Sequence, residues 1–382
     1  MAFAAGAAVG AASGGNYTSP SPSAGPGSVL DEAAARIAED SNVAVDRQAL
    51  RQAAIEAMLQ RTGDHWVSYY TPAERNELTS LLDGRYGGLG LWLRRQPEPS
   101  ADVVVVSVVP ASPAAAAGVR VGDRLVAVDG TSVRGDGVPD VVARLRGPAG
   151  TGVTISVREP GEAAARDVRL RRAEVGTADV TSELRPARSG PRIGRIRVAA
   201  FTHGVGGQVR AAAGQLRAQH VAGIVLDLRG DPGGLLDEAV DVAGAFLDGG
   251  PVVSYGGRAR AMRELDATAG GDVTTPIAVL VDGGTASAAE VVAGALQDRR
   301  RAVIVGSRTF GKGSVQEPWP LSDGSTIELT VARFQTPSGR SLDGTGIAPD
   351  VEVAANADGS VGLGRAVQVL VGVSAQSGTG RG

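Results

Sequence analysis

Between residues 192 and 305 short apolar runs alternate with helical patterns, and two of the joins are glycine turns. The run 193–198 precedes a helical stretch at 205–219. The run 223–228 leads through Arg229-Gly230-Asp231-Pro232-Gly233-Gly234 into a helix at 235–247. The run 277–281 leads through Asp282-Gly283-Gly284-Thr285-Ala286 into a helix at 287–297, and a further strand follows at 302–305. Such alternation predicts an α/β layer with parallel strands, whose sites lie at the carboxyl ends of the strands. The two strand–glycine-turn–helix junctions are therefore where chemistry is expected.

At 382 residues the chain is too long for one ordinary core, and two or three domains are expected. Hydrophobic content of 43% with 21% charged residues fits a globular protein. A net charge of −3 without long charge runs gives no reason to expect nucleic acid or an anionic membrane as partner. There are no cysteines, which excludes disulfides, thiolate metal sites and cysteine nucleophiles. His65, His203 and His220 are too scattered for a metal-ligand motif, and nothing else in the chain implies a metal or an organic cofactor. Of 38 basic residues only one, Lys312, is a lysine. Arginine stays charged in proteins, whereas a buried lysine can lose its proton and act as a base. Chance survival of a surface lysine is the competing explanation.

Residues 1–30 read as a disordered leader and linker. The Ala/Gly-rich stretch 1–15 is too short to span a bilayer and lacks a basic flank, so it is either the tail of a truncated anchor or a flexible leader. Residues 31–85 form an N-terminal helical region, with helical periodicity over 31–61 and again at 73–83, and carry no catalytic signal. From 86 to 172 the texture is short strands and glycine turns: Gly88-Leu89-Gly90-Leu91, a strand at 103–109, a short helix ending at Gly118, and a strand closed by an Asp129-Gly130 turn. A helix at 138–145 and a strand at 151–157 complete it. This order resembles a PDZ domain. The resemblance implies that Gly88, Leu89, Gly90 and Leu91 expose backbone N–H groups to a peptide carboxylate while the peptide adds as a strand. The α/β core is expected at 173–354, and 355–382 as a tail with a short apolar segment.

Ser287 opens a helix, and Ser287-Ala288-Ala289-Glu290 spells a capping box, so one reading is an N-cap hydroxyl bonded to the helix backbone. The other is a nucleophile at the positive end of a helix, among small neighbours that admit a substrate backbone. Lys312 lies in Gly306-Ser307-Arg308-Thr309-Phe310-Gly311-Lys312-Gly313, close to a phosphate loop. Gly313 replaces the metal-binding hydroxyl, however, and Pro318 and Pro320 prevent the helix such a loop must open. On an extended segment Lys312, Ser314 and Gln316 share one face, so Gln316 can hold the amine. Serine with lysine is a known nucleophile–base pair, provided burial lowers the lysine by roughly 3 units from its free value. His203 is the only histidine beside a glycine turn in the core and the alternative base. Asp227 and Arg229 read as a structural ion pair. The turn Gly230–Gly234 is an oxyanion-hole candidate or simply a tight turn.

Taken together, Asp227 to Gly234, Thr285 to Glu290 with Ala293 to Asp298, and Gly306 to Gln316 resemble the C-terminal processing (tail-specific) proteases. Thr336-Pro337-Ser338-Gly339-Arg340 and Gly346-Ile347-Ala348-Pro349-Asp350 are similar to the end of that family's core, and the resemblance runs from about residue 64 to 354. It implies an α/β protease core of crotonase/ClpP-like type, a mixed sheet with flanking helices, beside the β-rich PDZ domain and the N-terminal helical segment. It implies Ser287 as nucleophile, Lys312 as general base and Gln316 as its orienting partner. The oxyanion hole is then the Ala288 N–H with one from Gly233 or Gly234. Asp231 stands where the family usually has Asn and puts a carboxyl near an anion site; Ala289 stands where it often has Ser. The expected partners are proteins with exposed C-terminal tails; a homo-oligomer and a regulatory partner protein are compatible with the pattern. The family is extracytoplasmic, secreted or anchored by its N-terminus. Alternatives are a catalytically silent PDZ scaffold and a latent, partner-regulated protease.

Overall fold

The computed structural model describes residues 29–95, 102–109, 112–162, 164–176, 179–185, 191–354 and 359–378. The leader expected at the N-terminus falls outside these except for its last two residues. The chain divides into two compact units: one takes in the residues up to Asn76 and those from Asp179 on, the other runs from Glu77 to Ala178.

The larger unit is built on a six-stranded sheet in the order Val180–Arg185, Ile193–Val198, Gly223–Asp227, Ile277–Val281, Ala302–Gly306, Val351–Glu352. The first pair is antiparallel and the rest are parallel. Alternation along the central strands sends side chains to two cores. Ile224, Leu226, Ile277, Val279 and Val281 face helices Val205–Ala218, Leu236–Gly244 and Ala288–Asp298. Val225, Ala278 and Leu280 face the opposite way, onto Leu363, Ala366 and Leu370. This is the two-faced burial that continuous apolar strands require. The residues that cover the second face come from helix Gly359–Gly378. The segment read as a tail is thus a layer of the core, because its apolar residues at 363, 366 and 370 lie on one helical stripe.

A second sheet pairs strand Thr326–Gln335 with Ser314–Pro320, with Pro251–Gly257, and with Ser68–Tyr70 from the N-terminal region. The region expected to be purely helical therefore contributes a strand, between helices Val29–Asp40, Arg47–Gln60 and Pro72–Leu82. The second of these is capped by the Asp46 carboxylate, which accepts from the Ala49 N–H at 3.0 Å.

The smaller unit holds an antiparallel sheet in the order Leu91–Arg95, Val103–Val108, Arg124–Val128, Gly152–Arg158, Arg166–Arg171. Val103, Val105, Leu125, Val153, Ile155 and Val157 share its core with Val141 and Leu145 from helix Val138–Leu145. The turn at Asp129-Gly130 has positive φ at both residues, 48° and 74°, as a tight two-residue hairpin needs.

Candidate active site

Strands Gly223–Asp227, Ile277–Val281 and Ala302–Gly306 are neighbours, and their carboxyl ends feed three loops that are stitched together. The Asp282 carboxylate accepts from the N–H groups of Gly230 and Gly284, both at 2.9 Å. The Thr285 hydroxyl donates to the Leu228 carbonyl at 2.8 Å. The Ala286 N–H donates to the Asp231 carbonyl, and the Phe310 N–H to the Thr285 carbonyl.

Ser287 sits where these loops meet, fully buried, with φ 55° and ψ −117°. Positive φ on a serine costs on the order of 1–3 kcal/mol and persists only where the surroundings impose it. The hydroxyl does not cap the helix: Oγ has no hydrogen-bond partner among the described residues. The Glu290 carboxylate accepts from the Ser287 N–H at 2.9 Å. A strained serine whose hydroxyl is withheld from its own helix is arranged for something other than capping.

The same Glu290 oxygen accepts from the Lys312 N–H at 2.9 Å, which sets the backbones of Ser287 and Lys312 side by side. The other oxygen accepts from the Gly311 N–H at 2.8 Å and from the Thr309 hydroxyl. Burial pushes the Glu290 carboxyl up, and these four hydrogen bonds oppose the shift. Lys312 is 3% exposed. Burial lowers its amine, with Glu328 the opposing influence. The amine lies 4.9 Å from the ring centre of Trp66, whose ring packs T-shaped with that of Phe310, the two centroids 6.0 Å apart. A cavity of about 630 Å³ opens beside them, with Gly311, Ser314, Thr330 and Arg333 also in its wall. Lys312 leads into strand Ser314–Pro320 and not a helix, so the phosphate-loop arrangement is not formed. Gln316 is buried, and its amide nitrogen donates to Ser314 Oγ at 2.7 Å and Thr330 Oγ1 at 3.1 Å. Its carboxamide oxygen has no partner among the described residues and is an acceptor in reserve.

The turn at 230–234 packs directly on Ser287. A Cβ on Gly233 would stand 2.9 Å from both Ala288 N and Ser287 Cβ. The Gly233 N–H, however, is donated to Asp231 Oδ1 at 2.8 Å. Of the two glycines, Gly234 is therefore the one whose N–H is not claimed by Asp231. Its φ of 147° and the Phe201 carbonyl, 2.3 Å from where a Cβ would lie, require glycine there.

Residues 192–353 match the family model "Peptidase family S41", and residues 104–159 match a PDZ domain. A carboxy-terminal-processing protease of Bartonella bacilliformis is 39% identical over 315 residues, 81% of this chain and 70% of that protein. The chain belongs to peptidase family S41. A chloroplastic C-terminal processing peptidase of Tetradesmus obliquus is 37% identical, covering 81% of this chain and 69% of its own. Among solved structures, a photosystem II D1 C-terminal processing protease superposes with a TM-score of 0.53 at 36% identity, covering 85% of this chain and 88% of that one.

As an S41 enzyme the protein is a C-terminal processing serine peptidase carrying a PDZ domain, with the S41 fold. Within the PDZ unit, Leu89 is buried and its carbonyl accepts from the Ala114 N–H, while Gly90 has φ 77° and would drive a Cβ into Ser112. Arg124 pairs with Asp102 at 3.1 Å. In the S41 core, Asp227 is buried between Arg195 and Arg229. Burial alone would raise its carboxyl, but the hydrogen bonds and charges of the two arginines outweigh that and hold it low. His203 has a side chain 63% exposed and lies 4.0 Å from Glu238. Two site residues escaped sequence reasoning. Glu290 was read only as a helix cap, although a glutamate amid eight small or apolar neighbours of a buried helix was a signal. Trp66 lies in a region whose sequence carries no catalytic signal, and no local pattern ties it to Lys312.

Proposed function

We propose that Ser287 attacks the scissile carbonyl while neutral Lys312 takes its proton, with Gln316 orienting the amine through its carboxamide oxygen. The serine oxygen bonds to the carbonyl carbon and an oxyanion forms, held by the N–H groups of Ala288 and Gly234. Collapse breaks the peptide bond, and the leaving amine takes the proton back from Lys312. Water, deprotonated by the same amine, then hydrolyses the acyl-enzyme and frees Ser287. The observation that carries this reading is the burial of the chain's only lysine beside a strained serine, both held by one carboxylate. A lysine in water is protonated at neutral pH; burial is what makes it a base.

The unpartnered Ser287 hydroxyl fits a resting arrangement in which the serine–lysine bond forms on substrate engagement. The PDZ unit, through Gly88 to Leu91, captures the carboxylate of an unstructured protein tail and delivers the chain to the core. Its substrates are extracytoplasmic proteins with exposed C-terminal tails, and a regulatory partner or a second copy acts on the resting state. Among the described residues no helix is long and apolar enough to cross a membrane. The test is cleavage of an unfolded protein with an apolar C-terminus by wild type, Ser287→Ala and Lys312→Arg. Arginine keeps charge and approximate size but cannot act as a neutral base. Cleavage by wild type alone supports the dyad; equal cleavage by Lys312→Arg overturns it.

A further inference from the structure

Asp231 is the one charged-type residue in the turn that faces Ser287, and its side chain is 0% exposed. One carboxyl oxygen accepts from the Gly233 N–H at 2.8 Å. The other has no hydrogen-bond partner among the described residues. The Ala286 N–H donates to the Asp231 main-chain carbonyl at 2.9 Å, so the residue is tied both to the turn and to the loop that carries the nucleophile. Gly233, whose N–H it holds, touches Ser287 and Ala288. Asp231 is therefore in a position to shape the oxyanion turn.

A carboxylate is ill suited to that position. It would be a buried charge with one hydrogen bond, beside a place where negative charge develops during acyl transfer. The charged groups acting on it come from two neighbouring segments. Arg197, on strand Ile193–Val198, attracts the carboxylate, but its side chain is partly exposed and it stands 3.8 Å from Asp227. Asp179, just before strand Val180–Arg185, repels it. The loop carrying Ser287 brings one charged group to the turn, the Asp282 carboxylate, which accepts from the Gly230 and Gly284 N–H groups; at Gly233 it presents only backbone and the Ser287 Cβ. The neutral acid avoids these costs: its carbonyl oxygen still accepts from Gly233, and its shape is that of an asparagine side chain.

We propose that Asp231 is a positioning residue that serves the oxyanion turn as the neutral acid, and that its ionisation switches the protease off. The proposal rests on the Ser287–Lys312 reading for its link to catalysis. Burial, with Asp179 adding to it, pushes the carboxyl well above the ordinary carboxylate range, against the Gly233 hydrogen bond and Arg197. The proposal requires Asp231 to hold its proton to higher pH than Lys312 holds its own: activity then rises with pH as Lys312 loses its proton and falls at higher pH as Asp231 loses its own. Neutral amine and neutral acid coexist only between these two limits.

The test uses the full chain and a fluorogenic peptide, with kcat/KM measured from about pH 6 to 10 for wild type, Asp231→Asn and Ser287→Ala. The expected result is a bell for wild type and, for Asp231→Asn, the same rising limb with no fall. At the top of the wild-type bell the two rates agree within about threefold, and on the falling side the variant is faster by about tenfold or more, the effect of one like charge near the oxyanion. Binding of a peptide boronate, which forms a tetrahedral oxyanion, weakens on the same limb in wild type only. A wild-type profile without a falling limb, or a limb that Asp231→Asn retains, overturns the proposal. So does a variant that unfolds at the wild-type temperature yet is more than tenfold slower at every pH. Activity surviving in Ser287→Ala would instead overturn the dyad reading, and thermal unfolding then decides for Asp231. A carboxyl raised by folding contributes stability below its unfolded value, and that contribution is lost as pH rises through the folded one. Asp231→Asn must therefore gain on wild type as pH increases; a difference independent of pH overturns the neutral acid.

Discussion

Lys312 illustrates how a single side chain trades stability for chemistry. Folding lowers its amine below the free-lysine value of 10.5. Its neutral form is thus favoured in the folded state: the protein is most stable with respect to this group above the free value. Stability is lost as pH falls, until the folded value is passed. At neutral pH the amine is a burden, so Lys312→Met is expected to raise stability by about 1–4 kcal/mol, as apolar replacements of buried ions often do, while abolishing cleavage. Urea unfolding and peptide hydrolysis check the two halves separately. Glu290 behaves in the opposite way. Replacing it with alanine leaves the N–H groups of Ser287, Gly311 and Lys312 and the Thr309 hydroxyl without their acceptor. Glu290→Ala is expected to cost about 3–5 kcal/mol in unfolding free energy and more than about a hundredfold in kcat/KM, because the backbones of the proposed Ser287–Lys312 dyad lose their common anchor. Trp66 acts on the charge of the amine. Its ring face favours the protonated form by about 0.5–1 kcal/mol. Trp66→Leu, which keeps the wall apolar, should move the rising limb of the pH–rate profile to lower pH by a few tenths to about 0.7 of a unit.

At the scale of elements, the site depends on turns that only glycine can make and on a helix that comes from far along the chain. Gly234→Ala would place a methyl group on the Phe201 carbonyl, so the turn proposed to hold the oxyanion must open. The expected result is a loss of kcat of about a hundredfold, the usual effect of removing one oxyanion donor, with the PDZ unit unaffected. Peptide hydrolysis and peptide binding measured on the same variant separate these effects. Helix Gly359–Gly378 closes the face of the sheet opposite helix Ala288–Asp298. Leu370 is buried there, and Leu370→Ala should lower stability by about 2–5 kcal/mol with kcat little changed. Thermal unfolding followed beside initial rates would check it; a large loss of kcat in protein shown to be folded would mean that this layer does more than support the strands.

For the molecule as a whole, the division at Asn76–Glu77 and Ala178–Asp179 gives two units with their own cores. Residues 77–178 are expected to fold alone and to bind peptides ending in a free carboxylate in preference to the same peptides amidated, which calorimetry would detect. Several features of this organisation are legible in the amino-acid order because they are local. Apolar runs, glycine turns and helical stripes reveal the parallel layer, the junctions at Gly230–Gly234 and Gly283–Ser287, and the PDZ pattern, each from neighbours within a dozen positions. The exceptional status of Lys312 is likewise written in composition. Other features depend on which distant segments meet. The pairing of Ser68–Tyr70, the surface that the apolar stripe of the C-terminal helix covers, Trp66 beside the lysine amine, and the joining of Lys312 to Ser287 through Glu290 are set by distant partners. Asp231 is the clearest case. By sequence it is a charge near an anion site. Its burial, and with it the protonation state, is decided by the packing of strands and loops around it, since the free energy of a charge depends on the medium that tertiary structure creates.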